Sequence, residues 1–181
     1  GGQIFRADLN NKQTLTDATY NSFGVRVVRL ANLATDDTTY DPDNRYTGGK
    51  APRFYESPTV TIHDQGANTF ILVGVASGNR AAPLDVYPLD GREGLTPSSA
   101  MTDRPVNNVY GIIDRDFINK DLLTAAYADL KTKDKTRLDL RKNPQILATS
   151  ETVGTIFFPA SGNGKDGWYR SLSSHNTATT G

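Results

Sequence analysis

A polar loop rich in carboxylates is the first candidate for chemistry in this sequence. Its oxygen-bearing side chains are Asp36, Asp37, Asp41, Asp43 and Asn44. Carboxylate and amide oxygens are the ligands that Ca²⁺ prefers, but the Asp-x-Asp-x-Asp-Gly spacing with a distal Glu is missing. A solvated acidic loop is therefore the favoured interpretation. The alternative is a Ca²⁺ site that uses Asp41 and Asp43 and is weak, with a Kd on the order of 10⁻⁴ to 10⁻³ M.

The histidines and serines offer little for catalysis. His63 ends a predicted strand and His175 lies in the polar tail, with no cysteine and no second histidine nearby. An isolated histidine is usually structural or solvated, which disfavours a metal site or a general base. No serine stands in the Gly-x-Ser-x-Gly setting of a nucleophile elbow; the candidates weighed are Ser57, Ser77 and Ser161. No catalytic residue is predicted.

Two further motifs resemble functional patterns without completing them. Asp114 and Asp116 flank Arg115 and would point to the same side of a strand. A catalytic carboxylate pair is one interpretation, and an Asp-Arg-Asp ion-pair ladder is the favoured one. Gly162 and Gly164 are close together, but they form no Gly-x-Gly-x-x-Gly between a strand and a helix, so no dinucleotide site is predicted.

The elements that must position these residues are mainly strands. Alternation over 3–9 places Gln3, Phe5, Ala7 and Leu9 on one face, and Ile4, Arg6 and Asp8 on the other. The segments 59–63 and 69–76 flank a turn and predict a hairpin whose nearly all-apolar second arm is buried on both faces. Apolar and β-branched residues predict further strands over 23–30, 109–114, 152–158 and 167–172.

Two long loops and one helix complete the predicted organisation. Turn-forming and polar residues predict an exposed loop over 34–50, and proline with lost periodicity predicts a second over 80–108. A helix is predicted over 119–133, because its apolar residues share one helical stripe. These residues are Leu122, Leu123, Ala126, Tyr127 and Leu130.

Composition sets broader limits on the class of protein. The 181 residues match one ordinary domain, and 20 basic residues balance 20 acidic ones. This neutrality gives no field that favours nucleic acid or an anionic membrane. Cysteine is absent, which excludes disulfides and thiolate zinc sites. No apolar run approaches the ~20 residues of a membrane span, and a chain beginning Gly-Gly-Gln is expected to be a piece of a longer protein.

Short strands with turns and long loops predict an all-β fold of the sandwich, barrel or propeller type. A propeller blade takes roughly 40 to 50 residues. Because the chain has 181 residues, it can supply about four blades at most, fewer than most closed propellers need. We therefore expect a partial β-propeller if blades are present, with residues 1–181 forming a single region of that domain.

Five stretches occur in an order that resembles one known family. They are "GGQIFRADL", "RFYESPTV", "VGVASGNRAAPLD", "NNVYGIIDRD" and "GNGKDGWYRSL". The chain resembles the C-terminal propeller of PilY/PilC-type proteins of type IV pili from Gly1 to Leu172. The residues that carry the fold signature are Arg53, Phe54, Tyr55, Pro58, Ser77, Gly78, Arg80, Pro83 and Trp168.

The resemblance implies a piece of a modified seven-bladed, quinoprotein-like propeller at the pilus tip or on the outer membrane. Such proteins promote pilus assembly by countering retraction, and support adhesion, twitching motility and, in some bacteria, DNA uptake. The implied partners are minor pilins, other tip components, and host or abiotic surfaces. The family's Ca²⁺ loop would precede Gly1, so its ligands match no residue here. The Arg-Gly-Asp motif of some members is absent, since Asp90–Gly94 reads "DGREG".

Two other functions remain as alternatives to a non-enzymatic pilus module. A quinoprotein-type dehydrogenase would share the strand pattern, but its repeated tryptophan docking motifs are not matched by the single Trp of this chain. A carbohydrate-binding surface module would use Tyr46, Tyr55 or Trp168 as stacking platforms. The favoured role of the aromatic side chains is instead packing between blades; they are Phe54, Tyr55, Phe70, Phe157 and Trp168.

Overall fold

A computed structural model describes residues 2–10, 24–33, 53–78 and 107–172 of the chain. Within these ranges lie seven strands and one short helix. The strands are β1 (Gln3–Leu9), β2 (Gly24–Asn32), β3 (Thr59–His63), β4 (Phe70–Ala76), β5 (Asn107–Asp114), β6 (Arg141–Lys142) and β7 (Gly167–Leu172), and the helix is α1 (Val153–Phe157). Single 3-10 turns form at Gly66–Asn68, Asp116–Ile118, Tyr127–Asp129 and Arg137–Asp139.

Strands β1 and β2 form an antiparallel two-stranded sheet. The predicted division of β1 into two faces is confirmed, since Ile4 and Asp8 are buried while Phe5 and Leu9 are exposed. A strand turns successive side chains to opposite faces, so the alternation in the sequence determines which residues enter the core.

The other strands form one five-stranded sheet in the order β3-β4-β5-β7-β6. Neighbouring strands are antiparallel except β6, which runs parallel to β7. The predicted hairpin is confirmed as β3 and β4, and Gly66 adopts a φ of 62° in its turn. The Asp64 carboxylate closes this turn by accepting hydrogen bonds from the Gly66 amide at 3.3 Å and the Thr69 hydroxyl at 2.9 Å.

Burial of β4 on both faces was too strong a prediction. Val73 and Val75 are buried against the other sheet, whereas Ile71 and Leu72 are only half-buried. The reason is position, because β4 lies one strand from the edge and its neighbour β3 is mostly exposed.

The core lies between the two sheets. It joins apolar side chains of β1 and β2 to those of β4, β5 and β7, and is completed by residues of the segment that follows β5. Its members are Ile4, Val28, Leu30, Ala31, Leu33, Val73, Val75, Tyr110, Ile112, Leu130, Leu140 and Tyr169. Two sheets packed over a shared apolar layer make the described part of the chain an all-β structure.

The helix predicted over 119–133 is wrong. This segment forms turns and a single 3-10 turn at Tyr127–Asp129. Within this segment, the buried carboxylate of Asp116 accepts the backbone N–H groups of Lys131 at 2.8 Å and Thr132 at 3.0 Å. These groups therefore make tertiary hydrogen bonds in place of bonds within a helix.

The strand predicted over 152–158 is also wrong, because these residues form α1. Thr152 begins the helix as its N-cap, and its hydroxyl accepts the Thr155 N–H at 3.1 Å. The Thr155 hydroxyl in turn accepts the Thr152 N–H at 2.8 Å. A reciprocal capping box of this kind fixes the first turn of a helix and overrides the β-branched composition that favours a strand.

Candidate functional site

Several residues singled out in the sequence lie outside the described ranges. They are the acidic-loop residues Asp36, Asp37, Asp41, Asp43 and Asn44, the signature residues Arg80 and Pro83, the tyrosine Tyr46 and the histidine His175. The loop predicted over 34–50 and most of the loop predicted over 80–108 fall there as well.

Three signature residues, Arg53, Ser77 and Gly78, lie together at one end of β3 and β4. The Gly78 N–H donates to the Arg53 carbonyl at 2.9 Å, which joins the segment before β3 to the residues after β4. Ser77 is buried and exchanges backbone and side-chain hydrogen bonds with Asn108, each at 2.8 Å. Residues far apart in the sequence therefore build one junction, whose contacts are structural.

The aromatic signature residues divide into buried and exposed positions. Phe54 packs edge-on against Tyr110, with ring centroids 5.9 Å apart, and Tyr110 continues to Tyr169 at 6.2 Å. Phe70 is buried, which agrees with the predicted packing role. Tyr55 is 43% exposed. Pro58 is exposed as well.

Trp168 lies flat against a glycine of the neighbouring strand. A Cβ atom added to Gly111 would come within 2.7 Å of the indole ring, so only glycine leaves room for the ring at this position. One face of the half-buried indole is thus covered by the β5 backbone. This contact fixes the ring on the side of the sheet opposite the core.

A buried ion cluster connects the two sheets. The Arg6 guanidinium bonds to Asp8 through Nε at 2.6 Å, and its Nη1 donates to both carboxylate oxygens of Asp114 at 2.7 Å. Asp116 lies 3.7 Å from the same Nη1, and Arg26 Nε reaches Asp8 at 3.0 Å. The cluster thus holds three carboxylates against two guanidinium groups.

The pKa values of this cluster follow from burial and charge. Burial by itself lowers the pKa of Arg6. The hydrogen bonds to Asp8 and Asp114 raise this pKa by more than burial lowers it, so the guanidinium stays protonated. Burial raises the pKa of Asp114 above its ordinary value in spite of the hydrogen bond from Arg6, and the nearby charge of Asp116 acts in the same direction. Perturbed carboxylates can mark catalytic sites. Here, however, every carboxylate of the cluster accepts hydrogen bonds that hold the fold together.

The ion-pair ladder predicted within Asp114-Arg115-Asp116 is not the arrangement found. Arg115 lies outside the cluster and pairs with Asp166, from Nε to Oδ1 at 2.9 Å. Asp114 bonds to Arg6, a residue 108 positions away in the sequence. Sequence reasoning missed Arg6 as a partner because nothing in the local spacing indicates which strand lies opposite β5.

His63 has a structural role. Its ring stacks on Phe70 with centroids 4.9 Å apart and an interplanar angle of 11°, and its Nε2 lies 3.0 Å from the Thr61 hydroxyl. Among the described residues, no group of three or more His, Cys, Asp or Glu side chains is placed to hold a metal ion. None of the helices in the described ranges is long and apolar enough to cross a membrane.

A polar cavity of about 590 Å³ lies beside the end of β5 and the start of β7. Arg115 forms part of its wall, and its Nη2 donates to the carbonyl oxygens of Phe157 at 2.7 Å and Lys165 at 2.8 Å. Asp166 binds Lys135 as well as Arg115, with its Oδ2 2.7 Å from the lysine Nζ. Sequence reasoning did not find this cavity, because its walls come from separate segments of the chain.

In comparisons with known proteins, no family model, no curated protein and no solved structure matched this chain.

Proposed function

We propose that the chain is part of a β-propeller domain of a PilY/PilC-type protein and works without catalysis at the tip of a type IV pilus. One structural observation carries the proposal. Strands β3, β4, β5 and β7 are antiparallel neighbours within the five-stranded sheet, and this sheet packs face to face on the β1–β2 pair. Propeller blades are four-stranded sheets arranged around a centre, each packed against the next.

The outer face of the larger sheet supports the same interpretation. On the side away from the core, Leu72, Val109 and Trp168 are half-buried, and Leu172 is 48% exposed. A blade inside a propeller contacts a neighbour on each face, so we expect a further blade to cover these side chains. The stacked pair of sheets then corresponds to one whole blade and part of the blade beside it.

The proposed role is to support pilus biogenesis, adhesion and twitching motility or DNA uptake from an exported position at the pilus tip or outer-membrane surface. The proposed partners are minor pilins and the contacted surface. Two features support a structural role. The signature residues Arg53, Ser77 and Gly78 hold strand ends together, and the buried carboxylates bind guanidinium and backbone groups. We propose that Ca²⁺, where bound, is held by a loop upstream of Gly1.

Gene deletion in the source bacterium tests this function. We expect loss of surface pili and of twitching, and return of surface pili when the retraction motor is also deleted, because the proposed role is to counter retraction. Complementation with Tyr169→Ser should fail, since it removes a fully buried core ring, whereas the matched change Tyr55→Ser at an exposed ring should restore function.

Three results would reject the proposal. They are normal piliation in the deletion strain, dye reduction that depends on added pyrroloquinoline quinone, and specific binding in a glycan array that is lost with Tyr55→Ser. The second result would indicate a quinoprotein dehydrogenase, and the third a carbohydrate-binding module.

A further inference from the structure

The polar cavity beside the end of β5 has the size of a ligand site. Its volume of about 590 Å³ falls in the range of roughly 300 to 1,000 Å³ that is usual for small-molecule sites. The turn between β3 and β4, the residues after β5, the end of α1 and the loop before β7 all contribute to its walls. Hydrogen bonds of Arg115 connect three of these segments, the residues after β5, the end of α1 and the loop before β7.

The cavity carries an excess of positive charge. Four cationic side chains and two carboxylates line it. Both carboxylates are already engaged: Asp166 binds Arg115 and Lys135, and Asp139 accepts the Thr136 N–H at 2.7 Å. The cations that line the cavity are Arg115, Lys131, Lys135 and Lys165. The side chains that line the cavity therefore carry a net charge of +2.

Two donors in the wall are unused among the residues that the structure describes. The Lys131 ammonium group has no partner there, and only its backbone N–H is bonded, to Asp116. Arg115 uses Nε and Nη2 for Asp166, Phe157 and Lys165, which leaves Nη1 without a partner in the same ranges. A guanidinium fixed in this way presents its remaining N–H groups to an anion at little entropic cost.

The wall also has an aromatic part. Phe157 and Phe158 line the cavity. Phe158 contacts Phe70, with ring centroids 5.3 Å apart, and the Arg115 guanidinium, whose Cζ lies 4.7 Å from the ring centroid. A ligand with an apolar group next to its charge would therefore contact rings that are already in place.

We propose that this cavity binds a small organic anion of the phosphate monoester class, with the phosphate on Lys131 and Arg115 Nη1 and the organic group against Phe157 and Phe158. A monoester carries close to two negative charges near neutral pH, which complements the net charge of +2 on the side chains that line the cavity. Such a site goes beyond the proposed structural role and does not depend on it.

Calorimetric titration of the full chain with phenyl phosphate tests this inference. We expect saturable one-to-one binding that weakens as salt is added, because the interaction is between charges. Phenyl sulfate, which has nearly the same shape and one charge less, should bind about tenfold more weakly, and phenol should not bind. Inorganic phosphate should also bind more weakly, since it lacks the organic group.

Variants locate the site. Lys131→Gln should weaken phenyl phosphate binding about tenfold, the effect of losing one charge-assisted hydrogen bond. Lys120→Gln is the matched control, since Lys120 is exposed and does not line the cavity, and it should leave binding unchanged. Circular dichroism should show both variants folded, because neither lysine side chain supports the fold.

The proposal is overturned by any of three outcomes: no saturable binding of phenyl phosphate up to several millimolar, equal binding of phenyl phosphate and phenyl sulfate, or equal effects of Lys131→Gln and Lys120→Gln. Tighter binding of inorganic phosphate than of phenyl phosphate would show that Phe157 and Phe158 do not bind the organic group of the ligand.

Discussion

Arg6 Nη1 donates to both carboxylate oxygens of Asp114 at 2.7 Å, and this pair joins the first strand of the chain to the central strand of the larger sheet. The carboxylate is 2% exposed and the guanidinium 16%. An ion pair so far from water tolerates the loss of one partner poorly, because the other charge stays buried without compensation.

Arg6→Gln should therefore lower the free energy of unfolding by about 3–5 kcal/mol. It removes the cation shared by Asp8 and Asp114 and leaves both carboxylates in the sheet interface. Urea unfolding followed by circular dichroism measures the effect. The matched control is Arg29→Gln, which breaks an ion pair between side chains 38% and 42% exposed and should cost no more than about 1 kcal/mol. Equal losses of unfolding free energy in the two variants would show that the buried Arg6 cluster stabilises the fold no more than an exposed ion pair does.

Gly111→Ala should destabilise the chain by about 1–3 kcal/mol through overpacking, because the new methyl group meets the Trp168 ring. As Trp168 is the only tryptophan of the chain, its emission should shift to longer wavelength as the ring is displaced towards water. Gly78→Ala is the control, since no atom lies within 4 Å of its added Cβ. Unchanged emission and stability in Gly111→Ala would contradict the packing of the ring on β5.

Ser77→Ala should lower the free energy of unfolding by about 1–3 kcal/mol. The Ser77 hydroxyl accepts the buried Asn108 N–H at 2.8 Å, and alanine leaves that donor without an acceptor. The exposed Ser57→Ala provides the comparison and should change stability by no more than about 0.5 kcal/mol. A neutral Ser77→Ala would mean that this signature serine does not support the junction between β4 and β5.

The pH dependence of stability should include a contribution from Asp134. The hydrogen bond from Arg29 lowers the pKa of this carboxyl, and the Tyr127 hydroxyl acts in the same direction. A folded-state pKa below the unfolded one stabilises the fold above about pH 4, and this stabilisation disappears as the pH falls through the folded pKa. The difference in unfolding free energy between the wild type and Arg29→Gln should thus be present at pH 7 and vanish in acid. Carbon-detected NMR titration should show the Asp134 pKa rising in the variant, and an unchanged pKa would reject the pairing.

The isolated chain should associate through the edge of the larger sheet. β3 is an edge strand, and its Val60 and Ile62 are 58% and 61% exposed. Ile62→Lys should shift the chain towards monomer in size-exclusion chromatography with light scattering, because lysine on an edge strand opposes pairing with another chain. Leu147→Lys, a change at a 71% exposed residue outside the strands, should have no such effect. A wild-type monomer with a sharp cooperative melt would contradict the prediction and weaken the case for an open propeller.

Local periodicity predicted the strands well where each strand alternates or follows a tight turn. The alternation of Ile4 and Asp8 with Phe5 and Leu9 predicted the buried face of β1. The turn residues around Gly66 predicted the hairpin. They did not predict its register, which is given by the pairing of β3 with β4. The period of two is a property of the extended backbone, so it can be read without knowing the partner strand.

Tertiary contacts decided the elements that the local pattern described wrongly. The apolar stripe of 119–133 suits a helix, yet the Asp116 carboxylate binds the backbone N–H groups of Lys131 and Thr132 instead. At 152–158, the Thr152–Thr155 capping box outweighs a composition that favours a strand. In both segments a few specific hydrogen bonds exceed propensity differences that amount to tenths of a kcal/mol per residue.

The chemistry of the chain depends on tertiary structure most of all. Arg6 and Asp114 are 108 positions apart, and the cavity brings Lys131 near Arg115 from opposite ends of an irregular segment. Residue types along the chain predicted an all-β protein and a family resemblance, because both are carried by local patterns. Which charges meet followed only from the tertiary structure, because no local spacing encodes a contact between distant segments.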